Sequence, residues 1–347
     1  MATKGSEIRR SAKIAKAIIY RTTLAVNFLT VLRPAMAFNS SLFMDNWCSF
    51  ITSSNSSKRT SVYYQVTLTT CVVISLLAPL AVTGNAFIFA AIWKNPSLRT
   101  PSYVLLAGLA LTDFFTGLLS QPLYVLYRMG KLPKNSKMFC LGGVITQSFG
   151  YYFSSLTVVV MAMIAVERWL HMSRRSLLSV RGVVILYITS AVLLIVFFAC
   201  YMYILYYTSE ISSPFLVIFV FGAAFYFSIT VLAYYKVYRI IRHHQSQVQT
   251  NENAIDIEKY KKSVFTVLYI LVVFLLSCVP SVCCIAVVSV VDLGSELSLA
   301  AVDACTVITF SSSSVNPLLY CWRIKEMRHS VKAIVRKLCC KKYEEEG

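Results

Sequence analysis

The most regular feature of the chain is a series of long apolar runs separated by short polar segments. Each run is long enough to cross a hydrocarbon core of about 30 Å as an α-helix. The runs cover Val66–Trp93, Pro101–Tyr127, Phe139–Leu170, Gly182–Tyr206, Pro214–Ile241, Ser263–Val291 and Leu297–Trp322. The pattern predicts seven membrane-spanning helices without an internal repeat. Because this number is odd, the two termini are expected on opposite sides of the membrane.

One carboxylate, Asp113, interrupts the second run, which is otherwise almost free of charge as far as Tyr127. An ionisable side chain at the centre of a transmembrane helix costs about 2.5–3.5 kcal/mol even on the most permissive insertion scale. We therefore predict that Asp113 faces a polar pocket between helices and not the lipid.

The composition also indicates an integral membrane protein. Hydrophobic residues make up 57% of the chain, charged residues make up 14%, and the mean hydropathy is +0.66. A soluble domain could not cover that much apolar surface. The net charge of +18 could indicate nucleic-acid binding, but the chain has no basic stripe with interleaved aromatic residues. Membrane lipids explain the charge better, and we expect no nucleic-acid partner.

Basic residues in the short loops predict the orientation of the bundle. Most lie after the odd-numbered helices: Lys94, Arg99, Arg174, Arg175, Arg181, Arg239, Arg242, Lys259, Lys261 and Lys262. The loop that begins at Arg128 disagrees, because its basic residues would lie outside. Sequons at Asn39 and Asn55 decide the question, since glycosylation requires a lumenal N-terminus. The expected protein is a multi-pass plasma-membrane protein with its N-terminus outside the cell.

Residues 1–61 form the extracellular N-terminal segment in this scheme. A basic stretch from Lys4 to Lys16 precedes the modestly apolar Leu24–Leu32, and Ala35-Met36-Ala37 has the small residues of a cleavage site. The pattern resembles a signal peptide over residues 1–37. Asn27 interrupts its short apolar part, so a disordered basic leader and an upstream start codon that is not used remain open.

Five groups of residues follow in order along the predicted helices. They are Gly84-Asn85, Asp113, Glu167-Arg168-Trp169, then Phe274, Ser277, Cys278 and Pro280, and finally Asn316-Pro317-Leu318-Leu319-Tyr320. Each group alone is a weak signal, because prolines are common in membrane helices. Together they resemble the rhodopsin-like (class A) G-protein-coupled receptors, and the resemblance extends from about Leu77 to Cys340.

The resemblance implies an activation switch at the inner end of the bundle. Arg168 would pair with Glu167 at rest and with a heterotrimeric G protein when active, and Trp169 stands where the family usually has Tyr. The alternative is an interfacial arginine that extends to the lipid headgroups. Tyr320, with Tyr234 or Tyr235, would close around water near Arg168 in the active state. Pro280 and Pro317 mark where helices six and seven can bend.

The resemblance also implies a sodium site at the centre of the bundle. Asp113, Thr157, Ser313 and Asn316 match the family's sodium-coordinating positions, and all four supply the oxygen ligands that a hard cation prefers. An allosteric Na⁺ there would stabilise the resting state. The alternative is a hydrogen-bonded polar cluster without an ion. No other cofactor is expected.

The chain departs from the family in helix six and in its cysteines. Cys278 replaces the usual tryptophan two residues before Pro280, so ligand contact would reach helix six differently. The family joins helix three to the second outer loop by a disulfide, but that loop is short and has no cysteine. If Cys140 is bridged, Cys48 is the first candidate partner and Cys305 the second. A short loop of this kind weakly suggests the melanocortin-like and lipid-sensing branches.

Residues 323–347 read as a cytoplasmic amphipathic helix and tail. The apolar residues of this helix recur at three- and four-residue steps: Ile324, Met327, Val331, Ile334 and Leu338. Cys339 and Cys340 beside Lys341 form a candidate palmitoylation site, or are two free thiols. The expected fold is all-α: a seven-transmembrane helix bundle over residues 62–322 with a short eighth helix.

The ligand is the least determined part of the prediction. Gly150 stands where amine receptors carry Asp, and helix seven has no lysine for a retinal Schiff base. Candidate contacts in the outer half are Gln147, Ser148, Gly150, Tyr151, Asp303 and Phe310. These are compatible with a peptide, a nucleoside or a lipid.

Other functional classes fit the sequence less well. A transporter or channel would show repeats or matching broken helices. An enzyme would need a nucleophile–base or metal constellation, and all four histidines lie at the inner face. A receptor-like protein with weak or absent G-protein coupling remains an alternative because of Cys278.

Overall fold

The computed structural model describes residues 61–131, 136–173, 178–208, 213–247 and 295–345, together with 268–269, 272–273, 275–281, 283–284 and 287. These residues belong to one compact unit, Cys48–Gly347, and contain helices but no strand. The helices are α1 (Ser61–Lys94), α2 (Pro101–Phe115, Thr116–Ser120 and Gln121–Lys131), α3 (Ser136–Met172), α4 (Val180–Thr208), α5 (Ser213–Gln247), α7 (Ser295–Arg323) and α8 (Lys325–Glu345). The described residues from 268 to 287 are all helical, and we call them α6. The candidate signal peptide, the sequons at Asn39 and Asn55, Cys48 and Phe274 lie outside the described residues.

The predicted helical runs are confirmed for α1 to α5 and for α7. Each of these helices contains its whole predicted run and extends it by a few residues. Five of them are long and apolar enough to span a membrane by length and composition, counting only the described residues. α7 is not among these five, and its sequence includes Glu296, Asp303 and four consecutive serines.

The core of the bundle divides into two clusters, and we call inner the one that α8 packs against and outer the one nearer the opposite end. α3 contacts α2, α4 and α5, while α1 packs between α2 and α7. The inner cluster includes Leu109, Val160 and Tyr320, and the outer cluster is built on Ile74, Tyr124 and Phe310. Most of the exposed large apolar side chains point away from both clusters, as expected for residues that face lipid.

The contact between α1 and α7 depends on Gly84. A Cβ atom at this position would lie 2.9 Å from Cγ of Pro317, whose ring cannot rotate away. Gly84→Ala is therefore expected to destabilise the fold by about 1–3 kcal/mol, the usual cost of overpacking. Thermal unfolding in detergent measures this loss.

Gly222→Ala on α5 is the matched control, because its Cβ would meet no atom within 4 Å. Replacing a glycine inside a helix by alanine should by itself stabilise by about 0.5–1 kcal/mol. If both substitutions changed the melting temperature in the same direction, the close contact between α1 and α7 would not be what makes a larger side chain at position 84 unfavourable.

α2 is interrupted by a π-helical turn at Thr116–Ser120. Gly117 in this turn lies against α1, where a Cβ would be 2.7 Å from that of Ala81. Pro122 follows immediately and has no N–H to continue the α-helical bonding. Turns of this type often occur at functional sites. Beyond the turn, Gln121, Tyr124 and Arg128 are all buried.

The prediction that Arg128 lies in an outer loop is wrong. The residue belongs to the outer section of α2 and is buried. Its charge is matched by Asp303 on α7, which explains why an arginine is tolerated there. Arg128 therefore no longer counts among the loop residues that disagreed with the orientation predicted from basic residues.

α8 is amphipathic, as the spacing predicts. Met327 is fully buried, and Ile324, Val331 and Ile334 pack against the inner cluster. Leu338, expected on the same face, is exposed in the isolated chain. The Nδ2 of Asn95 donates to Oγ of Ser330 at 3.0 Å and ties α8 to the loop after α1. Cys339 and Cys340 lie within this helix, but their side chains are outside the described part.

Candidate functional site

The inner end of α3 holds a buried carboxylate beside a loosely paired arginine. Glu167 is only 2% exposed and accepts a hydrogen bond of 2.5 Å from Oγ of Ser102 on α2. Nε of Arg168 lies 3.9 Å from Oε2 of Glu167, too far for a hydrogen bond. That Nε has no hydrogen-bond acceptor among the described residues. Glu167 is thus held by a hydrogen bond, whereas within the described part of the chain Arg168 contacts it only through charge.

Trp169 connects the same end of α3 to α5. Nζ of Lys236 lies 4.6 Å from the centre of the Trp169 ring, a cation–π distance. Tyr234 is half-buried against the inner cluster, while Tyr235 is 57% exposed. Of the two tyrosines left open by the sequence, the geometry therefore favours Tyr234. Tyr320 is fully buried in the same cluster.

Asp113 lies in the polar pocket that its sequence position requires. It is 1% exposed and accepts hydrogen bonds from Ser313 at 2.7 Å and Asn316 at 2.8 Å, both on α7. Asn85 on α1 completes the cluster by donating to the carbonyl of Ser313 at 2.9 Å. Thr157 on α3 is also buried, but among the described residues no direct hydrogen bond joins it to Asp113.

A cavity of about 440 Å³ opens in the outer half of the bundle, and residues from each of the helices α2 to α7 line it. Its walls are mainly carbon. Of the predicted contacts, Gly150, Tyr151 and Phe310 line it, whereas Ser148 and Asp303 do not. The side chain of Gln147 is outside the described part. Cys278 lines the cavity and also packs in the inner cluster with Tyr320, so it connects the two regions.

The comparison with known families agrees with this arrangement. The family model described as 7 transmembrane receptor (rhodopsin family) matches residues 84–320. The chain belongs to this family of membrane receptors. The matched region begins at Gly84-Asn85 and ends at Tyr320, so it includes every motif on which the resemblance rests. The search of curated proteins finds no match.

The receptor carries a buried ion pair that its sequence pattern did not reveal. Arg128 on α2 pairs with Asp303 on α7, and their side chains are 3% and 0% exposed. The hydroxyl of Tyr124 donates to Oδ1 of Asp303 at 2.5 Å and accepts from Nε of Arg128 at 3.2 Å. Asp303 therefore has partners within the protein and does not line the cavity, and its expected role as a ligand contact stays a prediction.

A second connection missed from the sequence joins α6 to α7 next to Pro280. The hydroxyls of Ser281 and Thr309 lie 2.6 Å apart, and Thr309 also donates to the carbonyl of Ser277 at 3.3 Å. Pro280 removes the helical donor of the Leu276 carbonyl and not that of the Ser277 carbonyl, so the proline does not by itself predict this bond.

Cys305, the second candidate partner of Cys140, is not bridged in the structure. Cys305 is a free cysteine whose thiol lies 3.7 Å from the carbonyl oxygen of Pro280. Its position on α7, facing α6, explains why it is unavailable to α3. The side chains of Cys140 and Cys48 are not described, so a bridge between them stays a prediction.

Proposed function

We propose that this receptor binds a small extracellular ligand in the outer cavity and activates heterotrimeric G proteins through outward movement of α6. The observation that carries the proposal is the asymmetry between Glu167 and Arg168. Because Ser102 holds Glu167 in place, the carboxylate stays when Arg168 leaves. Because Arg168 makes no hydrogen bond to it, exchanging this partner for a G protein costs little. Two alternative partners for one guanidinium make a bistable element.

The path from ligand to switch runs through Cys278. Its side chain lines the cavity and contacts the inner cluster that contains Tyr320 and Tyr234. A ligand that displaces Cys278 would shift α6 near Pro280, where the helix can bend. The neighbouring Ser281–Thr309 bond would keep the outer part of α6 against α7, so that the inner part moves more.

We also infer an allosteric sodium site at Asp113. Neither of the ion pairs in the described part of the chain involves this buried carboxylate. Oδ1 of Asn316 is likewise buried without a described donor. Asp113, Ser313, Asn316 and Thr157 would hold the ion, which would supply the positive charge that the carboxylate lacks. These four side chains supply the oxygen ligands that a sodium ion prefers.

Basal G-protein activation tests the proposal without knowledge of the ligand. Glu167→Gln removes the charge that retains Arg168 and is expected to raise basal activity about fivefold, since about 1 kcal/mol of resting-state stabilisation is lost. Adding Arg168→Ala should reduce the signal at least tenfold. A panel of G-protein dissociation sensors in cells, normalised to surface receptor, makes the measurement.

Arg181→Ala, an exposed arginine at the start of α4, is the control and should leave the signal unchanged. The second candidate function is a receptor-like protein with weak coupling, which the replacement of tryptophan by Cys278 favours. Surface expression of Glu167→Gln without any signal above untransfected cells would support that second candidate. N-glycosylation and palmitoylation stay predictions.

A further inference from the structure

We propose that the Arg128–Asp303 pair makes the ligand cavity selective for a neutral, largely apolar molecule that carries a hydrogen-bond acceptor. This inference rests on the proposed ligand-binding role of the cavity. It concerns the chemical class of the ligand, which the motifs of the chain leave open. Three observations support it: the charge balance of the pair, the direction from which each partner is accessible, and the lining of the cavity.

The pair is electrically balanced and is bridged by a tyrosine hydroxyl. Asp303 neutralises Arg128, and Tyr124 bonds to both groups. The guanidinium carbon also lies 5.6 Å and 5.5 Å from the ring centres of Tyr124 and Tyr127. These contacts leave the guanidinium little freedom to reorient toward a new charged partner.

The two partners are not equally accessible from the cavity. Arg128 is among the lining residues, whereas Asp303 is not. An anionic ligand at Arg128 would compete with Asp303 and leave a net negative charge in a buried site, which is costly. A cationic ligand would find no Asp or Glu among the described lining residues. Both kinds of charge are therefore disfavoured.

A neutral acceptor has a ready partner instead. The guanidinium carries more N–H groups than its bonds to Tyr124 and Asp303 use. A carbonyl or amide oxygen could accept one of them without changing the net charge. Tyr151 and Phe310 contribute aromatic surface for the remainder of the ligand. The volume of about 440 Å³ is within the range of about 300–1,000 Å³ typical of small-molecule sites.

Three probes with one carbon skeleton test the charge preference. They are 2-naphthylacetamide (neutral), 2-naphthylacetate (anionic) and 2-(2-naphthyl)ethylamine (cationic). Saturable binding to the full-length receptor in phosphatidylcholine nanodiscs is measured by fluorescence, with empty nanodiscs subtracted. The amide is expected to bind at least tenfold more tightly than either charged probe. Stronger or equal binding of a charged probe, or no saturable binding of the amide, would overturn the proposal.

Two variants test whether the ion pair is the cause. Asp303→Asn leaves Arg128 unbalanced and should shift the preference to 2-naphthylacetate. The double variant Arg128→Gln/Asp303→Asn restores neutrality and keeps the test available if the single variant does not fold. It should reject both charged probes but bind the amide about tenfold more weakly, having lost a charged donor.

Unchanged amide affinity in the double variant would show that Arg128 is not the anchor and would overturn the proposal. Arg181→Gln, at the opposite end of the bundle, is the control and should bind all three probes as the wild type does. Basal signalling of Glu167→Gln does not depend on these probes. A failure of the charge preference can therefore be distinguished from a failure of the proposed function.

Discussion

Asp303→Asn is expected to lower the free energy of unfolding by about 3–5 kcal/mol, the usual cost of removing one partner from a buried ion pair. The loss arises because Arg128 remains a buried charge without a counter-ion. Tyr124 also loses the charge that accepts its short hydrogen bond. Thermal unfolding of the receptor in detergent, with surface expression as a second readout, measures the effect.

The double variant Arg128→Gln/Asp303→Asn separates pairing from burial. Replacing both charges removes the desolvation cost together with the attraction, so most of the lost stability should return. Their interaction is then the difference between the double variant and the sum of the singles. If the two single losses simply added in the double variant, the residues would not be coupled and the pair would contribute nothing.

Removal of sodium is expected to destabilise the receptor, and Asp113→Asn should abolish this dependence. A ligand that binds only the folded state stabilises it by about 2.7 kcal/mol at a concentration of one hundred times its Kd. The carboxylate is the only charged member of the proposed ligand set. Thermal unfolding in NaCl and in choline chloride at equal ionic strength measures the difference.

Two neighbouring serines on α7 provide a matched comparison for the sodium prediction. Ser313 donates to Asp113, whereas Ser314 donates to the carbonyl of Leu77 at 2.9 Å. Ser313→Ala should weaken the sodium dependence, and Ser314→Ala should leave it intact. Equal stability of the wild type in both salts would favour the alternative, a hydrogen-bonded polar cluster without an ion.

The inner half of the receptor was largely predictable from the sequence. Asp113 had to face other helices because lipid cannot solvate a carboxylate, and its contacts with Ser313 and Asn316 agree with that expectation. The amphipathic spacing of α8 likewise predicted that Met327 would be buried. In both cases the sequence pattern within one helix carries the information.

The outer half was not predictable in the same way. Arg128 was expected in a loop because it directly follows the predicted run Pro101–Tyr127, and Asp303 was expected as a ligand contact because it lies in the outer half of helix seven. In α2, Arg128 lies beyond the π turn at Thr116–Ser120, in which Gly117 packs closely against α1. A contact between two helices that are far apart in the sequence leaves no pattern of polar and apolar residues in either helix that would reveal it.

The amino-acid sequence by itself determined that the chain crosses the membrane as helices, which family it resembles, and that Asp113 must face other helices. Tertiary structure alone decided which charges neutralise one another, which tyrosine faces the core and which residues line the cavity. The physical reason is that apolar periodicity sets the buried face of each helix separately, whereas pairing depends on how the helices are rotated and stacked against each other.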